Sequence, residues 1–223
     1  MSGLTIGIDT STGATSVGLF SDQVELVRTD QPSQGERPAH AGLTLGFAGD
    51  LLTEAGYAWS DVSSIAVGVG PGSFTGLRVG IATAIGLGKG ASIEPVGVSS
   101  LQALVFGAAS KERDVIGVID ARRGEVYVAL LRSDGTYGPE LVTSETDLVQ
   151  FVKRSDNPLV VGDGAVLLRE SLEVLACEVP PSDDPRNCVS GLELARLSST
   201  AGCEARPLLP SYLRSPDAVP MAR

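Results

Sequence analysis

The sequence holds a single histidine, His40, and that scarcity removes a good deal of chemistry. No two-histidine metal motif can be built, nor any site that needs a histidine pair. His40 reads either as a solvated or capping residue at the start of a helix or as an isolated catalytic base. Cysteine is almost as rare. Cys177, Cys188 and Cys203 are odd in number and too widely spaced for a CxxC knuckle, which leaves neither a disulfide framework nor a zinc site and fits a reducing cytoplasm. No basic stretch followed by an apolar one opens the chain, and no run of about 18 uninterrupted apolar residues occurs, so neither a signal peptide nor a spanning helix is expected. Positive charge is short too. With 17 Lys and Arg against 27 Asp and Glu, a net charge of −10 repels a phosphate backbone, and any RNA contact is expected to come through another subunit. Walker, GxGxxG and GxSxG strings are all missing.

What is present is glycine, arranged in patterns. The first thirty residues alternate as strands do, in "LTIGID", "TSVGLF" and "QVELVRT", separated by turn formers. An amphipathic helix follows, in which Leu43, Phe47, Leu51 and Ala55 recur every four positions before Gly56 stops it. After the strand "SIAVGV" comes "GPGSFTGLRVG", where "GPGS" turns the chain and Ser73 suits a helix N-cap. From Ser99 the order of elements partly restarts. "IDTSTGATSVGLF" (8 to 20) falls without gaps on "IDARRGEVYVALL" (119 to 131). Any two hairpins with Asp and Gly at the turn would align this way, but the surrounding strands and helices agree as well. The expected fold is α/β and two-lobed, with mixed sheets flanked by helices. One lobe spans 1 to 104 and the other 105 to 223, with the tail free to return to the first lobe.

In a duplicated fold with a central cleft, Asp9 and Asp120 each end a first strand and face each other. Two readings stand side by side: carboxylates that hold a hydrated Mg²⁺ near phosphates, helped by Thr10 and Ser11, or turn caps that bond their own backbone. Gly162 and Gly164 of "VVGDGA" sit where a nucleoside contact is expected, although Gly-Asp-Gly is also an ordinary strand-to-helix turn. In the second helix Gly76, Gly80, Ala84 and Gly88 repeat every fourth position beside Leu77, Ile81 and Ile85. Each internal glycine costs a helix about 1 kcal/mol relative to alanine, so the ridge implies close approach of something, either the chain's own sheet or a neighbouring chain.

Taken together, "GIDTSTGATSVGLF", "AVGVGPGSFTGLRVGIATAIGLG", "PVGVSSLQAL", "VIDARRGEVYVAL" and "PSYLR" resemble the TsaB (YeaZ) family, from about residue 4 to 214. The resemblance implies an RNase H-like lobe used twice, as in actin-like ATPases. It also implies a non-catalytic scaffold in the synthesis of N6-threonylcarbamoyladenosine in tRNA, partnered by the transferase TsaD and the ATPase TsaE. By the same resemblance the two first-lobe helices meet TsaD, or a second copy in a homodimer, through Leu43, Phe47, Leu51, Gly76, Leu77, Gly80, Ile81, Ala84 and Ile85. It leaves any ATP or Mg²⁺ site vestigial, and because TsaD holds its metal with an HxxxH motif that a chain with one histidine lacks, this chain is not expected to transfer the threonylcarbamoyl group itself. The competing expectation is a small phosphotransferase or ATPase that uses Asp9 and Asp120 with Mg-ATP. A peptidase has neither a nucleophile motif nor a metal site to support it. One departure from the family pattern is "RPAHAGLTLG", whose Gly42 and Gly46 load the first helix with glycine.

Overall fold

The computed structural model describes residues 3–32, 36–155, 157–175, 177–200, 204–211 and 213. Strands β1 (Leu4–Asp9), β2 (Thr15–Phe20) and β3 (Glu25–Asp30) form the expected antiparallel meander. Helix α1 (His40–Ala55) leads through a short turn to β4 (Val62–Gly68), which lies parallel to β1, and α2 (Phe74–Ala91) leads to β5 (Val96–Val98). The first sheet has the order β3-β2-β1-β4-β5.

Helix α3 (Ser100–Gly107) opens the second half. It is followed by β6 (Val115–Arg122), β7 (Glu125–Leu131), β8 (Leu141–Ser144), α4 (Glu145–Val152), β9 (Leu159–Val161), α5 (Asp163–Leu167), α6 (Arg169–Glu173) and α7 (Gly191–Ser198). The second sheet runs β8-β7-β6-β9, with β6 antiparallel to β7 and parallel to β9. Strand for strand this repeats β3-β2-β1-β4, so the molecule is one RNase H-like unit used twice.

Local chemistry explains where the helices begin and end. Helices α2, α3, α4 and α7 each start behind a serine (Ser73, Ser99, Ser144, Ser190) whose hydroxyl accepts the amide three residues on, which satisfies a donor the first turn otherwise leaves open. Helix α1 stops at Gly56, whose φ of 75° is left-handed and costs glycine little. Its glycines at 42 and 46 do not shorten it: it runs for 16 residues.

The core has three parts. One lies between the first sheet and α1 and α2, around Ile6, Ile8, Leu51 and Ile65. Another lies between the second sheet and α4 to α6, around Ile116, Val126, Leu148 and Leu172. The third fills the space between the sheets, where α3 (Leu101, Leu104, Val105) and α7 (Leu194, Leu197) meet Ala66, Val98 and Ile119. Each fully buried leucine there contributes about 2 kcal/mol by area, so the lobes share one apolar interior.

The expected border at residues 104 and 105 falls within this shared layer. Residue 104 lies inside α3, which packs on β6 and β7, while α7, from the C-terminal half, packs on β1 and β2. The approach of α7 depends on glycine: a Cβ on Gly7 would strike the Gly191 carbonyl, and one on Gly18 would strike the Leu192 backbone. No described helix is long and apolar enough to cross a membrane.

Candidate functional site

Asp9 ends β1 with 1% of its surface exposed. Its Oδ1 accepts from the Ser11 amide and the Ser11 hydroxyl, both at 2.8 Å, and its Oδ2 accepts from the Ser100 hydroxyl at 3.0 Å. Burial pushes the carboxyl up to about 6, against the pull of those three donors and with a further push from Asp163. Asp120 makes the same turn in the second lobe: its Oδ1 accepts the Arg122 amide at 2.7 Å, and Arg122 also pairs with its Oδ2 at 3.1 Å. Both aspartates therefore cap their own turns, which is the bonding expected of Asx turns.

The glycine ridge of α2 lies directly on the Asp9 loop. A Cβ at Gly76 would collide with the Thr10 carbonyl, and one at Gly80 with the Thr10 hydroxyl. That hydroxyl donates to the Gly76 carbonyl at 2.8 Å, and the Ser73 amide donates to the Ser11 carbonyl at 2.6 Å. Thr10 and Ser11 are buried under the helix start. Of the residues expected to face another chain, Leu51, Gly76, Leu77, Gly80, Ile81 and Ala84 are buried in their own lobe, and Phe47 and Ile85 pack against the same core. Leu43 alone among the expected contacts is half-buried outside that core. The physical reason is that β1 and its loop leave no room for a helix carrying side chains.

His40 is also interior. Its Nδ1 pairs with the Thr15 hydroxyl at 2.8 Å, and burial pulls its pKa down, opposed by Asp30 and by a bond to Thr12. Among the described residues the ring's hydrogen-bond partners are Thr15 and Thr12 and not a carboxylate, which is not the arrangement of a Ser-His-Asp relay.

In the second lobe Gly162 and Gly164 are packing residues. Gly162 has φ 113° and a Cβ on it would strike the Val118 carbonyl, and a Cβ on Gly164 would lie 2.8 Å from Val118 and 3.1 Å from the Asp120 amide. Between them Asp163 accepts the Asp120 amide at 3.1 Å, and burial raises its carboxyl to about 6. Asn187 holds this turn: its Oδ1 accepts the Gly162 amide at 3.1 Å and its Nδ2 donates to the Pro181 carbonyl at 2.7 Å. Sequence reasoning missed Ser100, Asp163 and Asn187 as partners, because each bonds a residue 25 to 91 positions away. Among the described residues no group of three or more His, Cys, Asp or Glu side chains is placed to hold a metal.

The open surface of the first lobe lies on the other side of α1 and α2. Gly42, Gly46 and Gly49 of α1, and Gly86 and Gly90 of α2, have free space where a Cβ would stand. A groove of about 650 Å³ runs there, lined by Leu45, Trp59, Thr83, Gly86, Leu87 and Gly90. Leu45 is 51% exposed, Trp59 40% and Phe74 53%, with the Arg78 guanidinium stacked 3.6 Å above the Phe74 ring. A helical wheel centred on Leu45 instead of Leu43 would have pointed to this face. Tyr212, Arg214 and the tail "SPDAVPMAR", with Cys203, lie outside the described residues.

Residues 33–157 match the family model described as TsaD, tRNA N6-adenosine threonylcarbamoyltransferase. The protein named tRNA threonylcarbamoyladenosine biosynthesis protein TsaB from Escherichia coli (strain K12) is 39% identical over 131 residues, which covers 58% of this chain and 55% of that protein. The protein of the same name from Bacillus subtilis (strain 168) is 30% identical over 175 residues, 75% of this chain and 76% of that one. A solved structure called YeaZ from Pseudomonas aeruginosa superposes with a TM-score of 0.70 at 28% identity, covering 95% of this chain and all of that one. With its duplicated lobes, its Asp9 loop under a glycine-lined helix and these matches along most of its length, the chain belongs to the TsaB (YeaZ) family.

Proposed function

We propose that this chain is a non-catalytic subunit in the synthesis of N6-threonylcarbamoyladenosine in tRNA, and that it docks a TsaD-type transferase on the outer face of α1 and α2. The observation that carries this reading is the apolar groove at Leu45, Trp59 and Gly86, where helix backbone lies open. Exposed aromatic and aliphatic side chains beside bare backbone suit a partner helix better than water. The same face can pair two copies of the chain, and a TsaE-type ATPase would then join the assembled complex. With a net charge of −10, tRNA is reached through the partner. Mixing the purified chain with TsaD and measuring mass in solution tests this. A heterodimer at micromolar concentration is expected, and two separate species would refute it.

Two features of the first-lobe loop favour the scaffold reading over a Mg-ATP site: both Asp9 oxygens accept from Ser11 and Ser100, and Thr10 lies beneath Gly76 and Gly80. Calorimetry with Mg-ATP separates the phosphotransferase alternative from the scaffold: tight binding abolished by Asp9→Ala would favour the phosphotransferase.

A further inference from the structure

One buried carboxylate gathers three distant parts of the chain. The Glu140 side chain is 7% exposed. It accepts from the Ser99 hydroxyl at 2.6 Å, from the Tyr137 hydroxyl at 2.9 Å and from both Arg206 nitrogens, at 3.0 and 2.5 Å. Ser99 is the N-cap of α3, at the junction of the lobes; Tyr137 and Glu140 lie in the β7–β8 connection of the second lobe; Arg206 comes from beyond α7. The segment carrying Arg206 crosses to the first sheet. Its Arg206 amide donates to the Gly97 carbonyl at 2.9 Å, forming an antiparallel bridge on the open edge of β5, and the Ser211 amide donates to the Val69 carbonyl at 2.7 Å. Beside it the Ser100 amide donates to the Gly70 carbonyl at 2.9 Å, joining α3 to the loop that starts α2.

We propose that residues 204–211 form a strap across the junction of the two lobes, with the Glu140 carboxylate as its lock. Among the described residues the bidentate Arg206–Glu140 pair ties this strap to the second lobe, and removing one partner of such a buried, hydrogen-bonded pair leaves the other charge uncompensated. While locked, the strap covers the β5 edge and fixes the Val69–Gly72 loop, so the first-lobe helices keep one orientation relative to the second sheet. Released, it frees that edge and that loop together. This device stands apart from the scaffold proposal, because it concerns the isolated chain.

Residue-resolved amide exchange on the full chain tests it. In Arg206→Ala and Glu140→Gln, the Arg206, Ser211 and Ser100 amides are expected to exchange about tenfold faster or more, while amides inside α1 and along the β6–β7 ladder keep their wild-type rates. Arg206→Lys, which keeps the charge but loses the fork, should give a smaller rise at the same three amides and serves if the alanine variant fails to fold. Unchanged rates at Arg206 and Ser211 in a folded variant would overturn the lock. So would an equal rise at the control amides, which would make Arg206 a general stabiliser and not a latch.

Discussion

The Ser100 hydroxyl donates to the buried Asp9 carboxylate at 3.0 Å, joining residues 91 positions apart and tying the start of α3 to the end of β1. Asp9 and Asp163 both have carboxyls raised to about 6 from an ordinary 3.8. A carboxyl raised in the folded state stabilises the fold while protonated; that contribution is complete below pH 3.8 and is lost as pH rises through 6. Each group should therefore remove about 3 kcal/mol of unfolding free energy across that window. Asp9→Asn keeps the shape without the charge and should flatten the slope by about that amount. Urea unfolding between pH 4 and 7 checks this, and a slope as steep as wild type would mean that Asp9 does not titrate there.

The two glycine rows of α2 should answer oppositely to substitution. Gly80→Leu overpacks the Thr10 loop and should destabilise the chain by about 3 kcal/mol. Gly86→Ala meets open space and should stabilise it by about 1 kcal/mol through helix propensity. Denaturant midpoints for both variants decide the matter, and equal effects would mean the faces are assigned wrongly.

Docking on the outer face predicts a separation of stability from association. Leu45→Asp, at a residue 51% exposed, should change the unfolding free energy by less than about 0.5 kcal/mol. It should nevertheless weaken binding to a TsaD-type partner by about 2 kcal/mol or more, since a charge would enter a desolvated seam. Titration by light scattering or calorimetry measures the second quantity. Undiminished binding would move the interface elsewhere.

Asn187→Ala should be among the more damaging polar substitutions. It strips the Gly162 amide and the Pro181 carbonyl of their partner inside the second lobe, at about 2 kcal/mol or more. Thermal unfolding would register the loss, and a wild-type midpoint would show that water takes over both bonds.

Residue order alone determined much of the architecture. The meander, the serine cap at Ser73, the Gly56 stop and the repeated Ile-Asp hairpins are written in neighbouring residues, because turns, caps and periodicity act over a few positions. Family membership was legible for the same reason, in contiguous strings such as "GPGSFTGLR". Which way each glycine row faces was not. Gly76 and Gly86 have the same intrinsic preference for a helix, and only the arrival of the Thr10 loop at one and solvent at the other tells them apart. The committed state of Asp9, the return of α7 to the first sheet and the meeting of Ser99, Tyr137 and Arg206 on Glu140 likewise depend on contacts between segments far apart in the chain. Their free energy exists only once the lobes are packed, so tertiary structure alone decided them.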